Sequence, residues 1–105
     1  MEIELNNLPN QSLTTTINQL SYRIELRYDK VMYFSLWVGD EKICNNVICF
    51  ANQKILPYRW QERKAQGNFI FLNENDEYPH YENFNKTDLF FFIDLTTLKQ
   101  ENNEY

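Results

Sequence analysis

Glycine is nearly absent: Gly39 and Gly67 are the only two in 105 residues, and they stand far apart. A phosphate-cradling loop needs clustered glycines so that the backbone can wrap an anion, and a nucleophile elbow needs them on both sides of the nucleophile. Neither site can be built from this chain. Tight turns fall instead to Asn and Asp, which tolerate left-handed backbone best, and Asn is unusually common here. Histidine occurs once, as His80, so a cluster of imidazole ligands or an imidazole pair is excluded. Its place in a loop beside Pro79 suits a structural role better than that of a general base. Cysteine occurs twice, at Cys44 and Cys49, too few for a disulfide framework. In a continuous strand their odd spacing sends the two side chains to opposite faces. Without a bulge they neither bridge nor share a metal, and each reads as a buried, inert thiol.

Long apolar runs are missing as well. The longest, Leu89-Phe90-Phe91-Phe92-Ile93, falls far short of the ~18 residues of a spanning helix, so no integral membrane protein is expected. Glu2 and Glu4 occupy the place where a secretory signal carries basic residues, and no apolar segment follows. Retention in the compartment of synthesis, with reduced thiols, is the expectation. Positive charge is short too: 10 Lys and Arg face 15 Asp and Glu, a net charge of -5. That sign disfavours generic binding to a phosphate backbone. The deficit is local, because residues 1–73 hold eight basic and seven acidic side chains whereas residues 74–105 hold two and eight. The last third is either a solvated loop and tail or a contact for a basic partner.

What the chain does have is aromatic side chains: 8 Phe, 7 Tyr and 2 Trp, 16% of the residues, within a hydrophobic fraction of 43%. Disordered chains are poor in these residues, so this one folds. At this length one domain is expected, burying roughly 60–70% of its unfolded surface. Its boundaries are read as 1–97, with a polar tail over 98–105 that frays.

Leu20-Ser21-Tyr22-Arg23-Ile24-Glu25-Leu26-Arg27-Tyr28 alternates strictly between apolar or aromatic and polar residues, the period of a half-buried strand. Thr-rich Ser12–Ile17 precedes it across Asn18-Gln19, which predicts a hairpin. Val31–Val38 and Glu41–Phe50 follow, joined by Gly39-Asp40; glycine in first place suits a type II′ turn. Pro57 and the lack of an apolar face leave residues 60–66 with no more than a short helical turn. Phe69–Leu72 reads as a strand, and Tyr78–Thr87 as a long loop ordered by its rings. Asp88–Asp94, apolar on both parities, reads as a strand covered on both faces. The fold class is all-β: a small antiparallel β-sandwich or partly open β-barrel built from a meander of hairpins.

Three chemistries compete with blander readings of the same residues. Asp76, Glu77 and Glu82 lie near Tyr78 and Tyr81, and sugar hydrolysis uses paired carboxylates beside aromatics, but clustered loop acids are usually solvated. Asn73, Asn75 and Glu77 alternate as calcium ligands do, yet nothing completes the set. Tyr22, Tyr28, Tyr33, Phe34 and Trp37 with Arg23 or Arg27 would make a base-stacking platform if exposed, although such platforms line a basic groove. No catalytic residue, cofactor or metal site is assigned.

Taken whole, the chain resembles the baseplate plug proteins of contractile-tailed bacteriophages. The residues that carry this are Leu5, Leu8-Pro9-Asn10-Gln11-Ser12, the Thr-rich strand, and Leu20 to Tyr28; then Phe34 to Ile43 with its Asp-containing hairpin, Gly67 to Leu72, and Asp76 to Phe84. Phe84-Asn85 stands where the family tends to have Leu-Gly, and Asn18-Gln19 where a Gly is common. The resemblance implies a structural, non-enzymatic role in the virion tail baseplate, assembled in the bacterial host cytoplasm. The implied partners are hub, spike, wedge or tube-end subunits, with no membrane and no nucleic acid, and with a homo-oligomer compatible. Candidate partner contacts are Leu8, Pro9 and Gln11 in the N-terminal segment and Tyr78, Pro79, Tyr81 and Phe84 in the late loop. The rival class is a small oligonucleotide-binding β-barrel, and a carbohydrate- or ligand-binding sandwich comes third.

Overall fold

A computed structural model describes residues 1–101. In chain order they form β1 (Glu2–Ile3), β2 (Asn10–Ile17), β3 (Leu20–Asp29), β4 (Val31–Val38), β5 (Glu41–Ile48), α1 (Arg59–Ala65), β6 (Gly67–Leu72), β7 (Leu89–Asp94) and α2 (Leu95–Glu101). A single 3₁₀ turn, Tyr81–Asn83, interrupts the late loop. Two antiparallel sheets result, a meander β2-β3-β4-β5 and a smaller sheet β1-β7-β6, and neither closes into a barrel. Of the two architectures expected, the mostly-β chain takes the sandwich-like one.

Alternation in β3 explains how the large sheet packs. Tyr22, Ile24 and Leu26 are buried, while Ser21, Arg23, Glu25 and Arg27 are exposed. Met32, Phe34 and Leu36 of β4 join them and meet Phe69, Phe71, Phe90 and Phe92 from the small sheet. The rings interlock: Phe34 and Phe69 lie 5.3 Å apart between centroids, and Phe69 stacks on Phe90 at 5.7 Å. Burying each such side chain stabilises the fold by roughly 1.5–3 kcal/mol, so this aromatic layer is the main source of cohesion. The Tyr22 hydroxyl donates to the Ala65 carbonyl at 2.6 Å, anchoring α1 to the core.

Non-glycine residues make most of the left-handed turns. Asn18 and Gln19 have φ of 51° and 70°, the double positive pattern of a type I′ hairpin. Gly39 has φ 58° and Asp40 has no positive φ, the type II′ pattern expected there. Gly67 is required for another reason. A Cβ on it would collide with the Ile93 carbonyl oxygen and the Phe92 ring.

Four features depart from the sequence reading. First, β5 is not regular: its pairing with β4 shifts register on either side of Leu36, and Asn46 is left-handed at φ 52°. The bulge changes the parity, so Cys44 and Cys49 are both buried within the same core cluster. Their thiols are free. Burial pushes Cys44 up to about 11 and Cys49 further still. Second, β7 is central in its sheet but covered on one face only. Phe90 and Phe92 are buried, whereas Leu89, Phe91 and Ile93 are half-buried beside Ile70 and the exposed Leu72. Third, the segment after Pro57 is a true helix whose inward face is polar: Gln61 donates to the Ile43 carbonyl, and Glu62 accepts from the buried Asn68 amide. Fourth, the tail expected from Leu98 begins as α2, with Leu98 buried at 1% exposure. The rest of that tail, residues 102–105, lies outside the described residues.

Candidate functional site

One end of the sandwich gathers the Lys30 turn, the segment after β5, the long loop between β6 and β7, and the N-terminal segment before β2. Two of these were singled out from sequence, and side-chain amides tie them together. The Asn7 amide donates to the Tyr81 carbonyl at 2.9 Å and to the Phe84 carbonyl at 3.1 Å. Asn85 accepts from the Leu5 N–H at 3.1 Å and donates to the Leu5 carbonyl at 2.6 Å.

The late loop is braced from inside by a fully buried carboxylate. One oxygen of Asp88 accepts from the Asn73 amide at 2.6 Å and the other from the His80 N–H at 2.9 Å. Both partners are neutral donors, and together they satisfy an acceptor that would be costly to bury bare. Asn73 in turn exchanges hydrogen bonds with Asn52, whose amide also reaches Asp76 at 2.7 Å. His80 caps the 3₁₀ turn: its Nδ1 accepts from the Glu82 N–H at 3.1 Å. The ring stacks on Tyr81 at 4.5 Å and meets Tyr28 edge-on at 4.7 Å. These contacts fix the imidazole in the loop's framework.

The sequence-named contact residues separate into two kinds. Leu8 is 51% exposed and Tyr78 is 58% exposed. Pro9, Gln11 and Tyr81 are half-buried. Pro9 accepts from the Tyr28 N–H at 2.8 Å, and Gln11 folds back onto the backbone of Asn6. Pro79 is buried, and Phe84 is 0% exposed, stacked on Phe71 at 5.6 Å inside the core. These two support the loop from within. A residue the sequence reading missed stands at the surface beside them: Phe50, 41% exposed, with its ring 5.6 Å from that of Tyr78. The strand expected to run through Phe50 ends at Ile48. The late loop also carries the exposed acids Glu74, Asp76, Glu77 and Glu82, of which Asp76 lines one surface hollow with Phe50 and Tyr78.

Other chemistries find little to build on. A cleft of about 540 Å³ near this end is lined by one carboxylate, Glu74, and one ammonium, Lys86, without a second carboxylate. Among the described residues no three of His, Cys, Asp and Glu come together to hold a metal. Asn73 is already spent, its side-chain oxygen taken by the Asn75 N–H. Of the stacking-platform residues, Tyr22 and Phe34 are buried in the core. Trp37 and Tyr33 do face outward, yet Arg23 lies over the Trp37 ring at 4.0 Å, and Arg27 over the Tyr33 ring at 4.6 Å. The chain's own cations already occupy the faces that bases would stack on. Among the described residues, no helix is long and apolar enough to cross a membrane.

The family model described as cyanophage baseplate Pam3 plug gp18 matches residues 1–97. The chain belongs to this baseplate plug family. No curated protein matches it. Membership makes the chain a structural component of the virion tail baseplate and implies contact with other baseplate components. Its two departures from the plug pattern have a physical reading. Asn18 and Asn85 adopt φ of 51° and 66°, the backbone that a glycine would supply.

Proposed function

We propose that this plug packs against the central hub or spike of the baseplate, with the loop end as its docking surface. The observation that carries this is the Phe50–Tyr78 pair, two exposed rings in contact with each other. Aromatic side chains held rigid at a surface cost little entropy to dock and are the usual anchors of interfaces. Leu8, Pro9 and Tyr81 extend the apolar centre, Gln11 holds the N-terminal segment in shape, and Pro79 and Phe84 support the loop beneath. The exposed acids of the late loop make this end negative, which calls for a basic surface on the partner. Assembly takes place in the bacterial host cytoplasm, where the buried thiols stay reduced.

The test is incorporation. A Phe50→Ser/Tyr78→Ser variant is expanded in a host carrying particles that lack the native gene, and plug content is measured by mass spectrometry. Incorporation is expected to fall at least tenfold, while the isolated variant melts near the native temperature because both rings are exposed. Native-level incorporation would overturn the assignment of this end.

A further inference from the structure

Sheet edges expose unpaired N–H and C=O groups, and proteins normally blunt them. Three of the four edges here are blunted. β1 is two residues long and begins with Glu2. The open side of β6 is covered by bridges Ala51–Phe71 and Lys54–Ile70, with N–H groups of Asn52 and Ile55 donating to Phe71 and Phe69. β5 carries a bulge at left-handed Asn46 and the charges of Glu41 and Lys42. The fourth edge, β2, has none of these devices. It runs for eight residues, Asn-Gln-Ser-Leu-Thr-Thr-Thr-Ile, without charge, proline or bulge, and among the described residues only β3 pairs with it.

The register fixes which groups point outward. Ile17 and Leu20 close a two-residue hairpin and are a hydrogen-bonded pair, so the odd residues of β2 bond to β3. Tyr28 donating to Pro9 follows the same parity. The backbone groups of Asn10, Ser12, Thr14 and Thr16 therefore face the open edge.

We propose that β2 pairs antiparallel with β2 of a second copy of this chain across a two-fold axis, joining the two meanders into one continuous sheet. The strand is suited to itself. It brings no like charges together, and its outer face offers Ser and Thr hydroxyls to their counterparts. Two registers place outward groups opposite each other near the centre. The one centred on Leu13 aligns Asn10 with Thr16 and Ser12 with Thr14 of the other copy, making about eight backbone hydrogen bonds. The one centred on Thr14 makes about six. The first also sets Leu13, half-buried at the rim of the core, against its own counterpart. Arg23, Glu25 and Arg27 lie one strand further out on each side, roughly 14 Å from their symmetry mates, beyond the Debye length at physiological salt. This contact is independent of docking through the loop end.

A single strand pair buries less than a standard interface, so the isolated dimer is weak, with a dissociation constant on the order of 0.1 mM. Sedimentation of the full chain from micromolar to millimolar concentration is expected to show a monomer–dimer equilibrium, which Thr14→Lys weakens at least tenfold. Leu13→Cys tests the register directly. At a non-hydrogen-bonded antiparallel pair the two Cα atoms come within disulfide reach, so mild oxidation crosslinks Leu13→Cys, whereas Thr15→Cys, facing Gln11 of the other copy, forms no crosslink. A monomer at every concentration would overturn the proposal. So would crosslinking of Thr15→Cys in place of Leu13→Cys. Amides of Ser12, Thr14 and Thr16 protected only in assembled particles, with the free chain monomeric, would assign the edge to a strand of another subunit and overturn it too.

Discussion

Asn85 binds both backbone groups of Leu5, accepting from its N–H and donating to its carbonyl across 80 residues of sequence. It does so at φ 66°, where a glycine would fit but would offer no side chain. One residue thus makes the turn and fastens the N-terminal segment to the late loop.

Replacing it separates those two jobs. Asn85→Gly keeps the backbone conformation and loses both hydrogen bonds, an expected loss of about 1–3 kcal/mol in urea unfolding. Asn85→Ala loses the bonds and adds the cost of left-handed backbone, lowering stability by up to about 1 kcal/mol more. Hydrogen exchange at the Leu5 amide should accelerate in both. Unchanged exchange would mean that the two segments are held by something else.

Gly67 and Gly39 make a second comparison. Gly67→Ala drives a methyl group into the Ile93 carbonyl and the Phe92 ring, and it should cost about 2 kcal/mol or more. At Gly39 nothing lies within 4 Å, so Gly39→Ala bears only the conformational cost of φ 58°, about 1 kcal/mol. Thermal unfolding of the two variants should therefore rank them in that order.

The large sheet was legible because β3 alternates without a break and its hairpins are short. The rest was hidden for physical reasons. β1 is too short to show a period. α2 has Leu98 as its buried anchor among Thr-rich and polar residues, a composition that also describes a tail. The β5 bulge inverted the reading of the cysteines, since an inserted residue moves every later side chain to the other face. At the candidate site, Tyr78 and Leu8 were visible as surplus apolar residues. Phe84 has the same chemistry but the opposite burial, because the Asp88 and Asn85 hydrogen bonds that turn its loop inward leave no local pattern.

Alkaline pH provides a third prediction. Burial raises Cys44 from 9.0 to about 11 and raises Cys49 and Tyr22 as well, so the folded state holds these protons more tightly than the unfolded one. Their stabilising contribution is complete below pH 9 and is lost as pH rises through 9 to 11. Urea midpoints measured from pH 7 to 11 should hold level and then fall. The fall should be shallower in Cys44→Ala, measured against its own value at pH 7. A midpoint constant to pH 11 would contradict the burial of these groups.

The most direct test of the baseplate role is crosslinking mass spectrometry on purified tail particles. The account predicts that this chain is found in the particles, with Lys86 on the late loop crosslinked to a hub or spike subunit. Absence of the chain from intact particles would contradict it.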